Sequence, residues 1–356
     1  MIAVVFIGNI EYCPYFGNYK LLLEKEGADY DLFYWNRMGL DNVHPDNYYC
    51  FRYPIEITRD IRKKIISFYK YRLWLKQNLR RKRYDKYIVL DTLSGFLISS
   101  ELKRGKYIYE IRDYSYEKFL IYRYIEKKLI AKSYTTFISS PGFKAFLPSE
   151  DYMIFHNIAH SDQEDFLSED RNHRESDVII LVWAGTIRYY ETQLKIIRQL
   201  KNDERFRIYY HGDGYDLKRL NDICRKEKIK NVFFTGRYDE SEKIDLMRKA
   251  DMILNAYDID IGEEVRYALS NRFYDALMLG LPQIVEKDSY KCKIVRKYDL
   301  GIVMDDNLKK NIIESADRFR DAKFRIKCRR FYDLCRKENV HSLEKIRSFL
   351  NLSIEN

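Results

Sequence analysis

An arginine three residues beyond a strand-ending glycine is the first arrangement in this chain that can do chemistry. The apolar run LVWA, residues 181–184, stops at Gly185, and Thr186-Ile187-Arg188 follows before a helical stretch opens near Glu191. Glycine at such a turn lets a ligand approach the backbone, and a guanidinium just past it can fork onto phosphate oxygens. A second such place spans residues 254–288, LNAYDIDIGEEVRYALSNRFYDALMLGLPQIVEKD. There a buried strand runs into a long loop, Ser270-Asn271 opens a short helix that Gly280 closes, and a strand follows Pro282. The unpaired N–H groups and partial positive charge at that helix start suit a diphosphate. Asp275, one turn in, can meet a sugar hydroxyl beside it.

These groups need strands that end together. In the first part of the chain, short β-rich runs at 2–7, 31–35, 87–90, 107–111, 136–139 and 152–155 alternate with helical stretches. Alternation of that kind predicts βα units and a parallel sheet. Residues 161–176, SDQEDFLSEDRNHRES, are polar and without periodicity, and read as the linker. The alternation then resumes at 178–183, 206–210, 232–235, 252–255, 283–285 and 302–304, separated by amphipathic patterns such as ETQLKIIRQLKN and ESEKIDLMRKA. Two Rossmann-like domains in tandem follow, at 1–165 and 174–335, and the chain reads helical from Asn307 to its end. A length of 356 residues suits two domains, while 46% hydrophobic and 33% charged content with only 6 Pro leaves little room for disorder.

The run Ser270-Asn271-Arg272-Phe273-Tyr274-Asp275 with Gly280-Leu281-Pro282 resembles the nucleotide-sugar site of GT-B glycosyltransferases. The likeness is to family 4 above all, the group 1 enzymes of capsular and surface polysaccharide synthesis. The resemblance implies two Rossmann-like domains facing across a cleft. An acceptor domain (1–165) and a donor domain (174–335) would be joined by a C-terminal helix, 336–356, packing back on the first. It further implies that Gly185, Thr186 and Arg188 hold the diphosphate, where relatives add a lysine and this chain has Gln193. Gly212 and Gly214, in HGDG, would shape the donor pocket, and Arg237 and Tyr238, in TGRYD, would border the nucleobase. Ser270, Asn271 and Arg272 would line the phosphates, and Asp275 would accept from the ribose diol. The other acidic position of that signature falls on Tyr267, with Glu263 and Glu264 nearby. Gly8 and Gly17, in IGNIEYCPYFGNYK, would come near the donor phosphates. Glu110-Ile111-Arg112-Asp113 matches a motif at a strand end on the acceptor side. Asp113 would stand near the anomeric carbon or hold the acceptor hydroxyl, supported by Arg112 and Glu110; its other reading is a helix cap or a partner of Arg112. Asp113, Arg188 and Asp275 are thus the candidate catalytic residues. His156-Asn157 fits a hinge. Asp258-Ile259-Asp260 looks like a metal-binding DxD and reads as loop, since basic groups and helix dipoles neutralise the leaving group in this fold. No metal or cofactor is expected, only a UDP- or GDP-sugar as co-substrate.

The formal charge is +10 with a pI of about 9.0, which calls for an anionic partner. Much of it sits at 59–86, where twelve Lys or Arg face Asp60 and Asp85. Ile61, Ile65, Tyr69 and Leu73 recur every four residues there, with Ile66, Trp74 and Leu75 beside them. That is a basic amphipathic helix, able to lie on anionic lipid or to pack into a core with a solvated back. The six cysteines form no CxxC pair, and no signal peptide or apolar span is visible, so a cytoplasmic protein, peripheral at the membrane, is expected. The reading is a retaining, metal-independent hexosyltransferase acting on a lipid-linked glycan acceptor, with no nucleic acid as partner. A nucleotide-sugar 2-epimerase of the same architecture and a non-catalytic basic membrane-binding protein with a vestigial donor site are the alternatives.

Overall fold

The β-branched and aromatic runs assemble into two all-parallel sheets in the computed structural model, which describes residues 1–55, 61–113, 116–158 and 178–351. The linker at 161–176 lies outside the described residues, as do Arg59 and Asp60 of the basic segment. The chain divides into two compact units, one of residues 1–160 with 337–356 and one of residues 161–336.

Unit 1 runs β1 (Ile2–Phe6), α1 (Phe16–Lys25), β2 (Tyr30–Asn36), β3 (Tyr48–Arg52), α2 (Ile61–Leu79), β4 (Lys86–Val89), α3 (Thr92–Leu97), β5 (Tyr107–Ile111), α4 (Leu120–Lys132), β6 (Thr135–Ile138) and β7 (Tyr152–Ile154). Its strands lie in the order β3-β2-β1-β4-β5-β6-β7. Strand β3, not foreseen in the sequence, is a half-buried edge of aromatic residues, YYCFR, with no polar alternation to announce it. One core layer joins Val4, Leu32, Ile88, Ile108, Phe137 and Phe155 to Ile346 and Phe349 from the chain's end.

Unit 2 runs β8 (Ile179–Ala184), α5 (Tyr190–Leu200), β9 (Phe206–His211), α6 (Leu217–Lys226), β10 (Val232–Gly236), α7 (Lys243–Arg248), β11 (Met252–Leu254), α8 (Glu263–Tyr267), α9 (Asn271–Met278), β12 (Gln283–Val285), α10 (Tyr290–Tyr298), β13 (Gly301–Val303), α11 (Leu308–Arg320) and α12 (Ala322–Asn351). Strand order β10-β9-β8-β11-β12-β13 reverses direction between β8 and β11. In open parallel sheets the crevice at the carboxyl end of such a reversal receives ligands, because the two flanking loops diverge there. The equivalent reversal in unit 1 lies between β1 and β4.

The last helix, α12, is 30 residues long, and its residues from Lys337 onward belong to unit 1. His156, just past β7, fastens it. Its backbone N–H donates to Asn339 Oδ1 at 2.7 Å, its carbonyl accepts from Asn339 Nδ2 at 3.1 Å, and its Nε2 lies 2.5 Å from Glu338 Oε2. These bonds give His156 a structural task.

Candidate functional site

The loops after β8, β9, β10 and β11 and the start of α9 all leave the carboxyl edge of the unit 2 sheet. Two of these loops are packed backbone to backbone. A Cβ on Gly212 would lie 2.1 Å from the Gly185 carbonyl oxygen, and one on Gly214 equally close to that of Ile187. Gly212 also holds φ at 128°, which favours glycine. The glycines of HGDG therefore serve first to seat the β9 loop on the β8 loop. Arg237 ties in the β10 loop, its Nε donating to Asp213 Oδ2 at 2.9 Å.

Arg272 sits at the reversal itself, 8% exposed. Its Nε donates to the Ala184 carbonyl at 2.9 Å and one terminal nitrogen to the Leu254 carbonyl at 3.2 Å, so it links the ends of β8 and β11. Its guanidinium carbon lies 3.5 Å from the centroid of the Trp183 ring. Both hydrogen bonds go to main-chain carbonyls, so its full charge is left to act on the surroundings. Tyr257 registers that field. Burial opposes ionisation of its hydroxyl, yet Arg272, Lys291 and a hydrogen bond with Ser270 outweigh burial and bring it below the ordinary phenol range. Tyr189 and Tyr210, buried nearby, shift upward instead. Lys291 Nζ lies 3.5 Å from the Tyr257 ring centroid and 3.1 Å from Glu286 Oε2, which also accepts the Tyr257 N–H at 2.9 Å. Two buried cations thus flank one ring at the sheet's carboxyl edge.

Arg188 projects into solvent, with its guanidinium 5.1 Å from the Tyr189 ring and no carboxylate partner among the described residues. Thr186 is exposed beside it. Gln193, where a lysine was expected, points inward: its amide donates to the Ala256 carbonyl at 2.8 Å and its oxygen accepts from Tyr210 at 3.1 Å. Ser270 caps α9, its Oγ accepting from the Phe273 N–H and donating to Asn255 Oδ1 at 3.0 Å, while Asn271 is exposed at the helix start. Asp275 is paired, with Oδ2 2.9 Å from Lys243 Nζ, and Lys243 also meets Glu240 at 3.2 Å. Burial raises the Asp275 carboxyl above its usual range against the pull of Lys243. Tyr238 is half-buried against the apolar cluster of Val182, Ala184 and Ala276. Asp258 accepts the Thr192 N–H of the first turn of α5 at 2.9 Å, and Ile259–Ile261 form a short 3-10 turn, not the loop expected, that leaves Asp260 exposed.

In unit 1, Gly8 lies in the loop after β1, where a Cβ would press on the Phe6 ring at 3.0 Å. Gly17 is not in that loop. It is the second residue of α1, exposed, with open space where a Cβ would stand. Glu110 and Arg112 are buried against each other, Nε to Oε2 at 2.6 Å, with Tyr19 on the other carboxylate oxygen and Arg112 also donating to the Phe155 carbonyl at 3.0 Å. They form an internal brace rather than an open acceptor contact. Asp113, the next residue, is exposed. The β1/β4 reversal is occupied by Asp91, which accepts from the Ile7 N–H at 3.1 Å and from the Ser94 N–H and Oγ.

Sequence reading missed Asp91, Lys243, Tyr257 and Lys291. Asp91 carries a signal, an Asp-x-x-Ser cap directly after an apolar strand. Lys291 carries another: a cation in a helix's first turn opposes the helix dipole and so needs a reason.

No known family profile matches the chain, and neither does any curated protein. Solved structures do. WaaG, a glycosyltransferase involved in lipopolysaccharide biosynthesis, superposes with a TM-score of 0.63 at 12% identity, covering 99% of this chain and 100% of its own. The chain has the GT-B fold. Sucrose-phosphate synthase from Thermosynechococcus elongatus gives 0.69 at 12% identity over 99% of each chain. Anabaena HepE in complex with UDP-glucose gives 0.63 at 14%, over 98% of this chain and 99% of that one. At such identities the likeness carries the GT-B architecture, and the chemistry rests on the site.

Proposed function

We propose that this chain is a glycosyltransferase that moves a sugar from a nucleoside diphosphate donor to a lipid-linked surface glycan. The observation that carries the reading is the geometry of the unit 2 reversal, where buried Arg272 gives its hydrogen bonds to the Ala184 and Leu254 carbonyls and stands with Lys291 against the Tyr257 ring, 5.7 and 3.5 Å from its centroid. A buried cation whose hydrogen bonds go only to carbonyls is stabilised by an arriving anion. Arg188 then clamps the diphosphate from the solvent side, and the start of α9 at Asn271 contributes its helix dipole. Those charges neutralise the leaving group without a divalent ion. Asp275, held by Lys243, meets the ribose, Arg237 and Tyr238 border the base, and Asp113 orients the acceptor. Retention of anomeric configuration belongs to the same reading.

The membrane part rests on α2. Its Ile65, Ile66, Tyr69 and Leu73 face solvent among Arg62, Lys63 and Lys70, while Tyr71 and Leu75 enter the core. An apolar stripe exposed between basic side chains suits an anionic lipid surface, and it places the enzyme beside a lipid-linked acceptor. Among the described residues no helix is long and apolar enough to cross a membrane. Calorimetry with UDP, GDP and their sugars is the test. Binding of one nucleotide, retained in EDTA and lost in Arg188→Ala, is expected; no binding of any would overturn the donor reading.

A further inference from the structure

A second exposed apolar cluster lies at the start of α4. Leu120 is 80% exposed and Ile121 74%, with Phe119 and Tyr124 also open to solvent. Leu120 and Ile121 project from unit 1 into solvent. Around them Lys118, Arg123, Lys127, Lys128 and Lys132 are all exposed. The two acids of the same stretch, Glu117 and Glu126, are turned inward and buried. Burial, with Glu117 beside it, pushes the Glu126 carboxyl up to about 8, so it carries little charge near neutrality. The outer face is therefore apolar at its tip and purely cationic on its flanks. It is also continuous with α2, since Phe68 of α2 meets the Tyr116 ring at 6.3 Å and Tyr116 meets Phe119 at the same distance. Lys128 Nζ lies 4.2 Å from the Tyr124 ring centroid and Lys118 5.4 Å from that of Phe119, so ammonium groups stand beside the rings.

We propose that residues 118–128 are a second bilayer-inserting element, which together with the exposed face of α2 seats unit 1 on an anionic lipid surface. Phe119, Leu120, Ile121 and Tyr124 enter the headgroup boundary, and the surrounding cations pair with lipid phosphates. Sequestering Glu117 and Glu126 removes the like-charge repulsion that exposed carboxylates would bring. The inference deepens the membrane reading made for α2, and its test separates the two.

Full-length protein is sedimented with vesicles of mixed phosphatidylglycerol and phosphatidylcholine, and with phosphatidylcholine alone. Wild type is expected to partition onto the anionic vesicles only. The L120E/I121E double variant should lose about tenfold or more of that partition, whereas Ile326→Glu, which removes an exposed apolar residue of α12, should lose none. In a Leu120→Trp variant, brominated acyl chains should quench the fluorescence of the introduced indole. Wild-type partition of L120E/I121E together with no quenching in the Leu120→Trp variant overturns the α4 element. If Ile66→Glu still abolishes binding in that case, the α2 reading stands alone. Nucleotide binding by calorimetry is unaffected by either outcome, so failure here is distinct from failure of the donor site.

Discussion

Arg188 and Arg272 both lie at the carboxyl edge of the unit 2 sheet and are held differently. Arg188 is exposed and, in the proposed function, clamps the donor diphosphate, so Arg188→Ala is expected to cut kcat/KM by on the order of 10²- to 10³-fold with an unchanged melting temperature. Arg272 is buried across two strand ends. Arg272→Ala would orphan the Ala184 and Leu254 carbonyls and strip the face of Trp183, costing about 3 kcal/mol in denaturant titration of the protein. Arg272→Lys should not rescue it, because an ammonium lacks the fork that reaches both oxygens. Glu126 makes a pH prediction. Its folded carboxyl keeps its proton to about 8, above the ordinary carboxyl value of 4.5. Between those values the unfolded chain binds fewer protons than the folded one, so stability is full below the lower value and falls as pH rises. The melting temperature of wild type should drop on going from about pH 5 to about pH 8 more steeply than that of Glu126→Gln; equal slopes would count against the buried carboxyl.

Among the elements, the glycines and α2 show what periodicity conveys and what it leaves open. Gly17 and Gly212 look alike in sequence, each inside a loop-like stretch near a strand end. One lies in a helix with open space beside it, and the other touches a neighbouring loop's backbone. Gly17→Ala is accordingly expected to stabilise by about 0.5–1 kcal/mol, while Gly212→Ala should cost more than about 2 kcal/mol and loosen the β8 loop that carries Arg188. Thermal melts of the two variants check both signs. The four-residue stripe of α2 was readable from spacing, yet spacing does not say whether a stripe faces a core or water. Strand order and tertiary packing decided that, turning Tyr71 and Leu75 inward and Ile65, Tyr69 and Leu73 outward.

On the scale of the whole molecule, the chain's last residues complete the unit formed by its first. Ile346 and Phe349 enter the unit 1 core, and Lys86 Nζ donates to the Leu350 carbonyl at 2.6 Å. Truncation after Arg336 should strip amide-exchange protection from the strands of unit 1 while those of unit 2 keep theirs. Loss of protection in both units alike would contradict that division. Net charge acts at this scale too: with +10 overall and cations gathered on α2 and α4, the proposed partition onto anionic vesicles should weaken as salt is added.

Alternating apolar runs, short connections and glycine-bounded helix starts were enough to read out two parallel α/β sheets and nearly every strand, because backbone pairing and burial impose their periods on the residues themselves. The start of α9, with Ser270 as its cap, was legible for the same reason, and so was the loop that bears Arg188. Which charges are spent inside and which remain for a ligand was not. Glu110 with Tyr19, Asp275 with Lys243, and Lys291 beside Tyr257 join residues from separate stretches of chain, and such pairing depends on distances that only the folded packing sets.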